Sequence, residues 1–240
     1  MKRNNIFFKV FNEESILIQW NDKVNINLID SIISYKNLIE QELSEILIEC
    51  VQSINSMMVI YNSNKINSED LINTLENLYS LDLKVGETEK KIWKIPVCYD
   101  LSFGIDLEDL STSNSISIDE IIKLHNSLTY NVLSMGFLPG FLYLGMNDKK
   151  LYCERKDKPK LNIKSGSVGI ARDQTGIYPQ DSPGGWRIIG RSPISFFNVD
   201  DKSPCFAKPG DKIKFQNISL SDFNQIEINK SSYKIKYEVI

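Results

Sequence analysis

Beyond Tyr130 the chain reads as short apolar runs separated by Gly and Pro, with no convincing helical period. Gly opens backbone angles closed to other residues, and Pro fixes a turn while removing a donor, so such runs fit short strands joined at tight corners. The pattern predicts an all-β barrel or sandwich for this part of the chain.

The first third reads differently. Ile6–Val10 and Ser15–Trp20 are strand-like and joined by the polar turn Asn12-Glu13-Glu14, which predicts a hairpin. Ile29, Ile32, Ile33 and Ile39 fall near the spacing of one helix face. Strand character returns at Glu45–Val51 and Met57–Tyr61, and Leu71, Ile72, Leu75, Leu78 and Tyr79 mark a second helix after the acidic start Glu69-Asp70. Alternating strand and helix predict a small α/β unit. A polar stretch between Asp82 and Lys91 places the domain boundary, giving 1–85 and 86–240 and an α+β chain as a whole. After it, Ile92–Val97 is strand-like, and Ser117-Ile118-Asp119-Glu120 reads as a capping box opening a helix to about Leu128.

A length of 240 residues accommodates two cores, and 42% hydrophobic with 25% charged residues is an ordinary globular balance. A net charge of -3 argues against a nucleic-acid partner, which calls for clustered Lys and Arg. The basic start is interrupted by Lys9, Glu13 and Glu14 before it forms a signal-peptide core, and no window approaches the ~20 apolar residues of a membrane span. A soluble, cytoplasmic protein is expected. Cys50, Cys98, Cys153 and Cys205 lie too far apart for metal-binding spacing, so no metal is expected and four buried, reduced thiols are.

Three segments carry chemistry. In Gly136-Phe137-Leu138-Pro139-Gly140-Phe141-Leu142-Tyr143-Leu144-Gly145, aromatics interleaved with Gly and Pro suit either the wall of a cavity or a core corner. Lys164-Ser165-Gly166-Ser167-Val168-Gly169-Ile170-Ala171 offers small residues and backbone donors suited to an anion, without the trailing Lys-Ser/Thr of a P-loop. The third, Gln174 to Arg191, turns at Pro183-Gly184-Gly185 and sets Trp186 beside Arg187, either in a polar cleft or on a solvated hairpin. His125 is the one side chain that titrates near neutrality unperturbed, and no nucleophile elbow accompanies it.

Together with His125, Tyr130 and the later Lys208-Pro209-Gly210-Asp211-Lys212-Ile213-Lys214-Phe215, these segments resemble the KipI family. Members of that family are also described as the B subunits of 5-oxoprolinases, and formerly as allophanate hydrolase subunit 1. The resemblance is specific over roughly the last 150 residues. It implies an N-terminal α/β domain followed by a cyclophilin-like β-barrel. It also implies one component of a multi-subunit, ATP-dependent 5-oxoprolinase, inactive alone, that opens 5-oxoproline to glutamate together with a KipA-type and a LamB/YcsF-type partner. In some sporulating bacteria a relative instead inhibits a sensor histidine kinase. The cyclophilin analogy raises prolyl isomerisation, on fold alone.

The site implied by the resemblance comprises His125, Arg155 and Lys160 as catalytic residues. Phe137, Phe141, Gln174, Tyr178, Trp186 and Arg187 would line a substrate or partner cleft, with ATP bound at the level of the complex. One departure stands out: where the family shows two Pro-Arg pairs, this chain has Glu154-Arg155 and Pro159-Lys160, and Lys164-Ser165 replaces Pro-Ala. A Lys keeps the charge of Arg but loses its two-pronged grip on a carboxylate.

Overall fold

The opening hairpin is set by Asn12, whose side-chain oxygen accepts from the Glu14 N–H at 2.9 Å and the Ser15 hydroxyl at 2.7 Å. In the computed structural model, which describes residues 6–81, 89–145 and 147–240, this turn joins β1 (Ile6–Asn12) to β2 (Ser15–Trp20). Helix α1 (Ile26–Glu42) starts where Asn25 caps the Leu28 N–H, and it is followed by β3 (Leu47–Gln52) and β4 (Ser56–Tyr61). Helix α2 (Ser68–Ser80) is capped by Asn67, with Glu69 and Asp70 in its first turn. The strands form an antiparallel sheet in the order β1-β2-β4-β3. Ile16, Ile18, Trp20, Val59 and Tyr61 bury one face of it with Ile32, Tyr35 and Ile39 of α1 and Leu71 and Leu75 of α2. The Tyr35 hydroxyl donates to the Leu75 carbonyl at 2.7 Å, so the one polar atom of that ring is satisfied inside the core.

The chain divides into two units, Met1–Thr88 and Glu89–Ile240. The boundary expected between Asp82 and Lys91 falls largely on residues 82–88, outside the described residues.

The second unit begins with β5 (Lys91–Val97), α3 (Leu107–Asn114), α4 (Ile118–Ser127), β6 (Thr129–Met135) and β7 (Leu142–Gly145). It continues with β8 (Lys160–Ile163), β9 (Ser167–Ala171), β10 (Gln174–Ile177), β11 (Ser182–Gly184) and β12 (Arg187–Arg191). β13 (Lys212–Asn217), α5 (Leu220–Ile228) and β14 (Lys236–Val239) complete it. Eight strands form one sheet in the order β12-β9-β10-β7-β6-β13-β5-β14, with β8 and β11 as a separate pair. The mixed α+β class holds.

The expected closed barrel does not form: among the described residues the sheet closes only through an isolated bridge between Cys98 and Arg191, two backbone hydrogen bonds of 2.9 Å. The reason is local. β14 occupies the free edge of β5 from Lys91 to Lys94, and Pro193 removes a donor two residues beyond the bridge on the other strand. The sheet therefore curls without a ladder across the seam. Nor is this unit free of helix after Tyr130. Ser219 and Asp222 form a capping box for α5, with Asp where Glu or Gln is usual.

The Lys208-Pro209-Gly210-Asp211 corner also has a structural reason. Asp211 is buried and accepts from the Trp93 indole N–H, the Lys91 N–H and the Lys208 N–H at 3.0 to 3.1 Å, and Gly210 supplies the left-handed φ of 92° that brings it there. The corner fastens β13 to β5, its parallel neighbour.

Candidate functional site

The two faces of β10 decide where the candidate residues go. Adjacent strand residues point to opposite sides, and paired residues share a side. Thr175 pairs with Leu144 and Ile170, all buried in the main core of this unit, whereas Gly176 pairs with Tyr143 and Gly169 on the other face. That second face has no side chain at Gly169 or Gly176. A methyl group added at Gly176 would stand 2.7 Å from the Trp186 ring and 2.8 Å from the Phe141 ring, so the pair of glycines forms a flat floor for two aromatics.

On that floor sits an aromatic cluster. Phe141 meets Trp186, Tyr178 and Phe137 edge-on at centroid distances of 5.7, 5.2 and 5.7 Å, and Tyr143 lies 5.9 Å from Trp186. The corner before Phe141 is a turn from Leu138 to Phe141 with Pro139 and Gly140 inside it, Gly140 at φ 82°. Phe137, at φ 70° and 65% exposed, stands at the rim in a conformation that costs a bulky residue about 1 to 3 kcal/mol. Gly184 completes the arrangement, since any Cβ there would fall on the Tyr178 hydroxyl.

Over this cluster lies Arg155. Its guanidinium is 5.7 Å from the Trp186 ring, exposed, and among the described residues engaged in no hydrogen bond or ion pair. Burial pushes the Tyr178 hydroxyl up to about 12, with the Trp186 N–H and the Arg155 charge drawing against it. Burial likewise raises Tyr143, and Arg155 opposes that shift. Both phenols thus remain neutral donors near a cation. Gln174 shares the face, two residues along β10 from Gly176.

The remaining expected residues lie elsewhere. Arg187 pairs with Ile170 and so turns to the opposite face from Trp186, beside Cys153, where its buried Nε has no hydrogen-bond partner among the described residues; sequence adjacency had grouped the two. Lys160 is held at 3.0 Å by Asp106, a carboxylate only 1% exposed that also binds Lys156 and accepts from the Ile188 N–H at 2.8 Å. Burial raises the Asp106 pKa, but Lys156, the Ile188 N–H and Lys160 outweigh it and hold the carboxyl below its ordinary value. Asp106 escaped the sequence reading because nothing in Gly104-Ile105-Asp106-Leu107 distinguishes it from a helix-start aspartate.

His125 is wholly buried. It stacks on Phe215 at 4.5 Å, its Nδ1 lies 2.7 Å from the Tyr99 hydroxyl, and its Nε2 lies 3.2 Å from Thr175 Oγ1. Thr175 donates to Asn147 Oδ1 at 2.7 Å and the Tyr99 hydroxyl also lies 3.4 Å from Asn126 Oδ1, so both ring nitrogens of His125 face hydroxyls of one buried polar network. Burial lowers the His125 pKa to about 3, and the residue joins α4 to β10 as a neutral cross-link inside the core. It does not reach the aromatic cluster. The donors expected to hold an anion at Lys164–Ser167 are also spent internally: Asp181 takes the Lys164 ammonium and the Ser165 N–H, both at 2.7 Å, and the Gly166 N–H goes to the Tyr178 carbonyl.

Among the described residues no group of three or more His, Cys, Asp or Glu is placed to hold a metal ion, and no helix is long and apolar enough to cross a membrane. Cys50, Cys98 and Cys153 are buried and Cys205 is half-buried, all four free.

Residues 6–207 match the family described as carboxyltransferase domain, subdomain C and D. The B subunit of the Bacillus subtilis (strain 168) 5-oxoprolinase is 32% identical over 222 residues, 88% of this chain and 92% of the relative. The chain belongs to the family of 5-oxoprolinase B subunits. The namesake in that family from Escherichia coli O157:H7 is 34% identical over 169 residues, 70% of this chain and 77% of that protein. Among solved structures, the urea amidolyase of K. lactis superposes with a TM-score of 0.83 at 18% identity, over 98% of this chain but 16% of the yeast chain, a likeness of fold. The chain's Gly-, Pro- and aromatic-rich segments have a physical account here: they build the glycine floor, its aromatics and the corner at Asp211.

Proposed function

We propose that this chain is the B component of a multi-subunit, ATP-dependent 5-oxoprolinase of the cytoplasm, working with a KipA-type and a LamB/YcsF-type partner. The curled sheet of the second unit is then the cyclophilin-like element of such a component. In the reaction, water adds across the lactam C–N bond of 5-oxoproline to give glutamate, driven by ATP hydrolysis. The observation that carries the reading is Arg155: an exposed guanidinium 5.7 Å from the Trp186 ring, with no carboxylate partner among the described residues. 5-Oxoproline is a small flat ring bearing one carboxylate, which matches a planar cation above an apolar floor. Tyr143, Tyr178 and Gln174 are the polar groups at that floor, and Phe137 and Phe141 its apolar margin.

ATP is assigned to the assembly. The Lys164–Ser167 donors that would suit a phosphate are already occupied by Asp181 and by backbone. Asp106 holds the Lys160 ammonium, and His125 and Arg187 pack on the other face of the sheet from the aromatic cluster.

The deciding experiment measures ATP-dependent glutamate release from 5-oxoproline by this chain, alone and mixed with candidate KipA-type and LamB/YcsF-type partners. Release only in the mixture is expected, and Arg155→Ala in the mixture raises KM for 5-oxoproline about 10- to 100-fold, the worth of one charge-assisted hydrogen-bond pair. An assembled mixture that releases no glutamate overturns the reading; binding of this chain to a sensor histidine kinase with loss of autophosphorylation would replace it.

A further inference from the structure

The segment from Arg155 to Lys160 is clamped from one point. Asp106 Oδ1 receives both the Lys156 and the Lys160 ammonium, the latter at 3.0 Å, and Oδ2 receives the Ile188 N–H at 2.8 Å. The Asp106 N–H in turn donates to the Ile188 carbonyl at 2.9 Å, and the Lys156 N–H donates to the Gly185 carbonyl at 2.8 Å. One buried carboxylate therefore fastens the segment carrying Arg155 to the strand that follows Trp186. Asp109 adds only a 3.6 Å contact to Lys156 and is itself exposed, so it does not replace Asp106.

The opposite directions of two neighbouring side chains explain why this holds Arg155 in place. Lys156 turns inward to Asp106 while its neighbour Arg155 turns outward over Trp186. β12 is the edge strand of its sheet, and the Ile188 N–H and carbonyl both face Asp106 on its open side. Arg155 has a long flexible stem, and an exposed guanidinium resting on one ring is weakly held by that contact alone. The backbone anchor beside it supplies the remaining constraint.

We propose that Asp106 is the positioning residue of the ligand site, fixing Arg155 over Trp186 through Lys156 and Lys160. The assignment rests on Arg155 being the ligand-binding group of the preceding reading. Its test has two arms. In the first, the indole N–H resonances of the 15N-labelled full chain are compared, with Trp186→Phe identifying the Trp186 peak. Arg155→Ala shifts that peak; Asp106→Asn shifts it the same way, and the double variant coincides with Arg155→Ala alone. Lys156→Met, which leaves Asp106 paired with Lys160 and the Ile188 N–H, gives a smaller shift in the same direction and serves if Asp106→Asn does not fold. A Trp186 peak unmoved by either Asp106→Asn or Lys156→Met, or moved additively with Arg155→Ala, overturns the proposal.

In the second arm, with the KipA-type and LamB/YcsF-type partners present, Asp106→Asn raises KM for 5-oxoproline as much as Arg155→Ala does, at little change in kcat, and the double variant is no worse than either alone. Independent, multiplying effects on KM overturn it. If the wild-type assembly itself releases no glutamate, the functional reading fails while the indole arm still decides the role of Asp106.

Discussion

Thr175 and Gly176 are neighbours on one strand, yet they serve regions with opposite polar accounts. On the Thr175 face every polar atom of His125 has a partner and the ring is sealed under Phe215, Tyr99 and Tyr130. On the Gly176 face an aromatic floor carries Arg155, whose charge is answered by no residue among those described. A buried polar group fully paired contributes to one well-defined core, and unpairing it is costly; an exposed cation left without a counter-ion contributes little to stability and is open to a ligand. The two faces therefore separate what holds the unit together from what it offers.

The largest effect expected on the core face is that of His125→Ala. It removes a stacked ring and takes one hydrogen-bond partner from each of the Tyr99 and Thr175 hydroxyls, costing about 3 to 5 kcal/mol in urea unfolding. The pH dependence carries the same signature. With a folded pKa of about 3 against 6.5 for a free imidazole, the unfolded chain binds the proton first as the pH falls. Stability present above about 6.5 is thus lost progressively towards 3, at up to ~1.4 kcal/mol per pH unit. Asp106, whose pKa is lowered, adds a loss of the same sign in the acid limb. A His125→Ala variant should lack the loss that begins near pH 6.5. If it instead unfolds at the wild-type midpoint while abolishing turnover of the assembly, the division between the two faces is wrong.

How much of this was legible beforehand follows the same division. The N-terminal hairpin, both of its helices and the α4 cap were readable, because each is written in local period and capping residues. Of the expected cleft, Phe137, Phe141, Tyr178, Trp186 and Arg155 lie together, while His125, Lys160 and Arg187, grouped with them from sequence, do not. What was not readable depends on pairing between distant strands. Which face Arg187 takes is set by its register with Ile170, and the enclosure of His125 is set by β10 and β13 closing over α4. Asp106 gains its partners from residues 50 to 82 positions away, which no local pattern encodes. Helix α3 was missed for lack of a side-chain cap, and α5 because its capping box ends in Asp.

A smaller effect sharpens the comparison from the Gly176 side. Gly176→Ala inserts a methyl against both the Trp186 and Phe141 rings, and the strand conformation itself tolerates Ala, so the cost is overpacking alone, about 1 to 3 kcal/mol. Because the ring that must yield is the one beneath Arg155, the Trp186 indole resonance should shift as well. A stability loss without that shift would mean that Phe141 gives way and the floor of the site is less exacting than its packing suggests.

The smallest effects test the claim that exposed cations contribute little to folding here. Arg155→Ala in the isolated chain should cost no more than about 0.5 to 1 kcal/mol, the range of an exposed cation over a ring. Lys36→Ala provides the reference: Lys36 meets Glu40 at 3.5 Å on the surface of α1, in the less favourable order of charges, so about 0.3 kcal/mol is expected. Urea midpoints measured side by side decide the matter. Two small values leave Arg155 free for a ligand role; a loss for Arg155→Ala several times that of Lys36→Ala would make the guanidinium a part of the packing, and the distinction between the two faces of β10 would narrow to one of exposure.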